Sequence, residues 1–208
     1  MNHNKQWIYF FAQRVLAVAF RVLFGIKIHG KDKVPLEGKI LLAPNHRSYL
    51  DPPLSGVGLP REVFYFAKRE LFKNPLLGAF LQRLNARPVR RGGVDKEAIR
   101  TIESLLAQQH AVVIFPEGTR CRIGDFLKPK KGISLVALRT NTDIIPVAIL
   151  GTRSWKKSLI HRGRMSVNYG DVIRCEDAKK QGNSSQQRQW IVDKIEKFWQ
   201  HTAQLTAN

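Results

Sequence analysis

The chain has 208 residues, 43% of them hydrophobic, and a formal net charge of +19, so it can bury one substantial core and reads as a single domain. Two cysteines give no disulfide framework, which suits a reducing compartment. The six histidines fall without ligand spacing and no HExxH or CxxC occurs, so neither a stapled scaffold nor a metal centre is expected.

In chain order, Trp7 to Ile28 is strongly apolar but interrupted by Arg14 and Arg21, which leaves no uncharged stretch of about 18 residues to cross a bilayer. The two arginines stand two turns apart on one helical face, against Trp7, Phe10, Phe11, Leu16, Val18 and Leu23. That pattern predicts an amphipathic helix in residues 1–30 lying in a membrane interface, with a helix packed on the domain itself as the alternative. A signal peptide is disfavoured because no small-residue cleavage site follows an uninterrupted apolar core.

The apolar run Ile40-Leu41-Leu42-Ala43 predicts a strand at 39–43, and Asn45-His46-Arg47-Ser48-Tyr49-Leu50-Asp51 follows it. Histidine titrates near neutrality, so a small environmental push leaves it a base, and a carboxylate nearby can fix its tautomer. On an ideal helix His46 and Asp51 would lie about 140° apart. Asp51 also precedes Pro52-Pro53, and a residue before proline is pushed out of the helical region, so a turn folding Asp51 back toward His46 is expected. Ser48 lacks the glycine-flanked serine elbow of an acyl-bearing nucleophile and reads as a turn hydroxyl.

Further strands are expected at 63–67 and 86–89, the second leading into the tandem Arg90-Arg91. Residues 94–109 carry Ala98, Ile102, Leu105 and Leu106 at helical spacing, with Lys96, Glu97, Arg100 and Glu103 polar. A strand at 111–115 runs into Phe115-Pro116-Glu117-Gly118-Thr119-Arg120, a second strand end rich in binding groups. Cys121 has no base marked out for it and reads as a small neutral residue. Strands at 144–150 and 165–169 bracket a basic run, Arg153, Lys156, Lys157, Arg162 and Arg164, around Trp155 and Ile160. That run reads as a loop, and its charge favours an anionic membrane surface. Ser184 to Leu205 predicts a helix that packs Trp190, Ile191, Ile195, Phe198 and Trp199 on the core. Strands alternating with helices argue a single α/β domain over 31–208, with a central mostly parallel or mixed sheet flanked by helices, and reactive motifs at strand carboxyl ends.

Together, NHxxxxD and FPEGTR resemble the motifs of the glycerolipid acyltransferase family, typified by 1-acylglycerol-3-phosphate acyltransferase. Ala86 to Gly93 is similar to the family's second motif and Ile144 to Ile149 to its fourth. The resemblance implies that His46 is the general base and Asp51 its partner. It implies that Arg91, or Arg90 in its place, binds the acceptor with Glu117, Gly118, Thr119 and Arg120. Guanidinium groups suit phosphate; a carboxylate does not, so Glu117 is expected to position Arg91, Arg120 or an acceptor hydroxyl. The implied reaction, a step of phospholipid biosynthesis, carries an acyl group from an acyl-CoA or acyl carrier protein thioester to the free hydroxyl of 1-acylglycerol 3-phosphate, forming phosphatidate. It implies no bound cofactor beyond that donor. Its partners would be a lysophospholipid, the cytoplasmic face of an anionic membrane and acyl carrier protein, and not nucleic acid. Glycerol 3-phosphate or another lysolipid is the alternative acceptor. A nonenzymatic basic protein binding membranes or nucleic acid is allowed by charge, but gives no reason for the two motifs to occur together.

Overall fold

The computed structural model describes residues 3–90 and 95–207. Helix α1 (His3–Phe24) leads into β1 (Lys27–His29) and β2 (Ile40–Pro44), followed by α2 (Asp51–Leu54), β3 (Val63–Lys68), α3 (Pro75–Arg83), β4 (Ala86–Val89), α4 (Lys96–Ala107) and β5 (Ala111–Val113). Then come α5 (Gly132–Thr140), β6 (Ile144–Leu150), α6 (Trp155–Ile160), β7 (Ser166–Tyr169), α7 (Cys175–Lys179) and α8 (Ser184–Ala207). The strands form one mixed sheet in the order β1-β7-β6-β2-β5-β3-β4. From β6 to β4 the neighbours are parallel, whereas β7 runs antiparallel to β6 and parallel to β1. Parallel strands buried on both faces read as continuous apolar runs, which is why Ile40 to Ala43 and Ile144 to Leu150 stood out.

Side-chain alternation sends each strand's residues to two cores. Ile40, Leu42, Val113, Ile145 and Val147 pack with Phe20 and Phe24 of α1 and with Leu54, Val57 and Leu59. Leu41, Ala43, Val112, Ile144 and Ala148 pack on the other face with Ile102 and Leu106 of α4, Ile133 and Val136 of α5, and Ile191, Ile195 and Trp199 of α8. The predicted helices at 94–109 and 184–205 thus take the places their periodicity requires. Asp95 caps α4 by accepting from the N–H groups of Glu97 and Ala98.

The apolar N-terminal run does not stay helical to Ile28. Gly25 adopts φ 62° and its N–H bonds to Arg21 O, a left-handed helix stop that glycine takes without strain, and Ile28 joins β1 opposite Val167. Residues set apart by composition therefore enter the sheet and the core. One side of α1 is docked: Tyr9 is buried, its hydroxyl accepts from Val63 N–H at 3.0 Å and from Gln13 Nε2 at 2.7 Å, and Gln13 Nε2 also reaches Gly56 O at 2.8 Å. Burial pushes the Tyr9 phenol up to about 12, so it stays neutral. The opposite side carries Trp7, Phe11, Val15, Val18 and Val22, all more than half exposed. By length and composition Trp7–Phe24, with a mean hydropathy of 1.5, is apolar enough to span a bilayer.

Trp199 is fully buried beneath the sheet, and its indole N–H reaches Ala43 O at 3.3 Å. Replacing it with alanine empties a large site between α8 and β2, which costs about 3–5 kcal/mol. Urea unfolding of Trp199→Ala is expected to show that loss as a lower midpoint with an unchanged slope.

Candidate active site

Parallel strands β2 and β5 are neighbours, with Leu42 opposite Val113, so the segments leaving their carboxyl ends emerge side by side. Asn45 shapes the first exit. Its side chain accepts from Ile149 N–H at 2.6 Å and donates to Ile149 O at 3.0 Å. The amide thereby continues the β2–β6 ladder while the backbone turns away toward His46, leaving no buried peptide group of Ile149 unpaired.

His46 is 6% exposed, with Nδ1 3.1 Å from Asp51 Oδ2 and its ring 4.4 Å from that of Phe115. The same Asp51 oxygen accepts from the N–H groups of Arg47 and Ser48, each at 2.5 Å. Two fixed donors hold this fully buried side chain, and the tautomer that donates from Nδ1 to Asp51 Oδ2 leaves its lone pair on Nε2. The expected turn back toward His46 is present. Asp51 is not excluded from helix, however: it opens α2, whose prolines occupy the first turn, where a missing N–H needs no partner. Ser48 acts as a turn hydroxyl, accepting from Leu50 N–H at 3.2 Å.

Glu117 is 1% exposed and lies across the seam between the two motifs. Oε1 accepts from His46 N–H at 2.6 Å and Oε2 from Leu127 N–H at 2.9 Å. Burial pushes its carboxyl above the ordinary carboxylate range, while these N–H donors pull it down. The expected partners were cationic or substrate groups; among the described residues the carboxylate instead pairs with backbone. Cys121 completes the bracket, its N–H reaching His46 O at 2.7 Å and its thiol donating to Ile123 O. The backbone of His46 is thus held at both its N–H and its C=O by the segment Glu117 to Cys121.

Gly118 has φ 72°, and a Cβ there would stand 3.1 Å from Lys130 Nζ. The left-handed turn is what calls for glycine, and the Lys130 ammonium closes over it. Thr119 is exposed. The Arg120 guanidinium stacks 3.6 Å from the centre of the exposed Tyr49 ring and donates to its hydroxyl at 2.9 Å, which aims a cation beside the histidine loop. Arg90 follows β4 on the same sheet edge but three strands from β2, roughly 14 Å at ~4.8 Å per strand. Its N–H caps Asp95 at 2.8 Å. Arg91 lies outside the described residues. Lys130, Asn45 and Tyr49 were not singled out from sequence. Asn45 carried a legible signal, an amide at a strand end directly before the histidine; Lys130 was hidden in the run Lys128-Pro129-Lys130-Lys131.

The arrangement is a preorganised base beside two cations, suited to deprotonating an alcohol on an anionic molecule. Among the described residues no group of three or more His, Cys, Asp or Glu side chains is placed to hold a metal ion.

A family model described as Acyltransferase matches residues 25–150. The chain is 32% identical over 171 residues to the 1-acyl-sn-glycerol-3-phosphate acyltransferase of Bacillus subtilis (strain 168), covering 82% of this chain and 84% of that protein. It is 29% identical over 184 residues to the protein of the same name from Borreliella burgdorferi, covering 84% and 74%. The crystal structure of the 1-acyl-sn-glycerophosphate (LPA) acyltransferase PlsC from Thermotoga maritima is similar over 98% of this chain and 80% of that one, with a TM-score of 0.71 and 25% identity.

Glu117→Ala strands two backbone donors, those of His46 and Leu127. Each unsatisfied buried donor costs about 1–3 kcal/mol, so the variant is expected to unfold at clearly lower urea. An unchanged midpoint would mean that water replaces the carboxylate without cost.

Proposed function

The chain belongs to the acyltransferase family, and from that premise we propose that it transfers a fatty acyl group from a thioester donor to the free hydroxyl of 1-acylglycerol 3-phosphate, forming phosphatidate. The observation that carries this reading is the buried His46–Asp51 pair, 3.1 Å between Nδ1 and Oδ2, locked to the FPEGTR segment through Glu117. In this reading Nε2 of His46 takes the hydroxyl proton as the oxygen attacks the thioester carbon. The C–O bond forms, the C–S bond breaks, and the thiolate leaves and takes up a proton to become the free thiol. Asp51 stabilises the imidazolium that forms in between. A thioester is already activated, so no acyl-enzyme is needed, and Ser48 and Cys121 have no part in the chemistry.

Arg120 and Lys130 bind the acceptor phosphate, with Arg91 or Arg90 as a further contact, and Gly118 and Thr119 form the turn that admits it. Glu117 holds the histidine backbone and stays off the phosphate, which its charge would repel. The donor is acyl-CoA or acylated acyl carrier protein, and the site of action is the cytoplasmic face of an anionic membrane. Similarity to proteins named for this reaction supports the acceptor, and the exposed stripe of α1 supports the location.

The deciding assay measures thiol release and phosphatidate formation on vesicles, with each donor in turn and with lysophosphatidate or glycerol 3-phosphate as acceptor. Wild-type turnover with lysophosphatidate is expected. His46→Ala should lower it by about 10²- to 10⁴-fold or more with thermal stability retained, and near-normal turnover in that variant would sink the mechanism.

Arg120→Ala and Lys130→Ala should each raise the acceptor KM about tenfold or more, as expected for a charged hydrogen bond worth about 1.5–3 kcal/mol, and leave the donor KM unchanged. An unchanged acceptor KM in both would remove these cations from the phosphate site.

A further inference from the structure

The basic run at 153–164 is not the loop that composition suggested. Residues 155–160 form α6, anchored from beneath by buried Ser158, whose hydroxyl donates to Gly151 O at 3.2 Å. Around that anchor the helix turns its apolar residues outward: Trp155 is 41% exposed, Leu159 39% and Ile160 79%. Lys156 lies 5.8 Å from the Trp155 ring, and Arg153, Lys157, Arg162 and Arg164 complete a cationic rim of exposed residues. An exposed aromatic and aliphatic cluster with lysines at its border has the make-up of an interfacial helix, though α6 is too short to bind as an isolated peptide. It does not act in isolation. Gly163 N–H bonds to Phe24 O at 2.8 Å and Arg162 Nη2 to Arg21 O at 3.2 Å, tying the end of α6 to the end of α1, whose outward stripe is also apolar.

We propose that α6 is a second membrane-docking element, and that Trp155, Leu159 and Ile160 enter the same anionic leaflet as the outward stripe of α1. This rests on the reading that the acceptor is a membrane lipid. Two observations select a leaflet over a protein partner. The first is charge: neither α1 nor residues 153–164 contain an Asp or Glu, while Arg14, Arg21 and the α6 cations border the apolar residues, which complements anionic headgroups. The second is position. Arg153 Nη1 donates to Gly124 O at 3.2 Å, and the same oxygen takes Arg47 Nη2 at 3.1 Å. The start of α6 is thereby coupled, through one loop carbonyl, to the residue following His46. Docking α1 alone leaves the domain free to swing about one helix, whereas docking α6 as well fixes the carboxyl edge of the sheet close to the headgroups.

The test uses the full chain, with Trp155→Ala/Ile160→Ala and, separately, Lys156→Gln/Lys157→Gln, and vesicles of phosphatidylcholine alone or mixed equally with phosphatidylglycerol. Neither pair of residues belongs to the catalytic or phosphate-binding set. Co-sedimentation with the anionic vesicles is expected to weaken about tenfold or more in the apolar variant and about thirtyfold in the lysine variant, taking roughly 1 kcal/mol per basic residue. Turnover on vesicle-embedded lysophosphatidate should fall in step, while turnover on a short-chain, water-soluble lysophosphatidate stays at the wild-type level. Wild-type sedimentation in both variants would overturn the proposal. So would equal binding of the wild type to neutral and anionic vesicles, or a turnover on the soluble acceptor that falls in the variants below that of an active wild type. Sedimentation needs no catalysis, so a failure of the acyl-transfer reading would appear in the turnover arms and leave the binding arm to decide on α6.

Discussion

The hydrogen bond from His46 N–H to Glu117 Oε1 joins the two halves of the site, and the geometry of everything near it depends on that bond. A histidine on a surface turn would sample many positions. Here its backbone is gripped by the Glu117 carboxylate on one side and by Cys121 N–H on the other, and its ring by Asp51 and Phe115. Preorganisation of this kind removes reorientation from the barrier to proton transfer. It also has a cost, because Glu117 must be buried, which raises its pKa. Two N–H donors offset that penalty, and both belong to the backbone.

The sheet order explains why these groups meet at all. β2 lies between β6 and β5, so segments distant in the chain leave the sheet next to one another. A parallel sheet places all such exits on one edge. Asn45 makes the exit possible without loss, since its amide stands in for the peptide group that β2 no longer presents to Ile149.

Much of this was legible in the residues. Apolar runs marked β2 to β7, periodicity marked α4 and α8, and the motif pair marked the two strand ends that the sheet brings side by side. Where the structure departs from these readings, local composition stood in for contacts that only the fold creates. A carboxylate in a basic neighbourhood suggests a cationic partner, yet Glu117 is paired with two peptide N–H groups. Asp51 before proline reads as non-helical on local sterics, but at the first turn of a helix that rule has little force. β1 is three residues long and continuous in hydropathy with α1, so only the left-handed Gly25 separates them. α6 was masked by charge density, because its single buried contact is the small polar Ser158.

The pairing of β1 with β7 sets the order in which the chain can close on itself. Strand β1 has no partner until residues 166–169 have been made, and long-range pairing of this kind forms late in folding. During synthesis the N-terminal segment emerges long before its place in the sheet exists. Its apolar helix is then free on every side, including the side that Tyr9 and Gln13 later bind to residues 56–63. That side is covered only once residues 56–63 follow, so the helix docks on the domain after it is made, and β1 later still, when β7 supplies its place at the sheet edge.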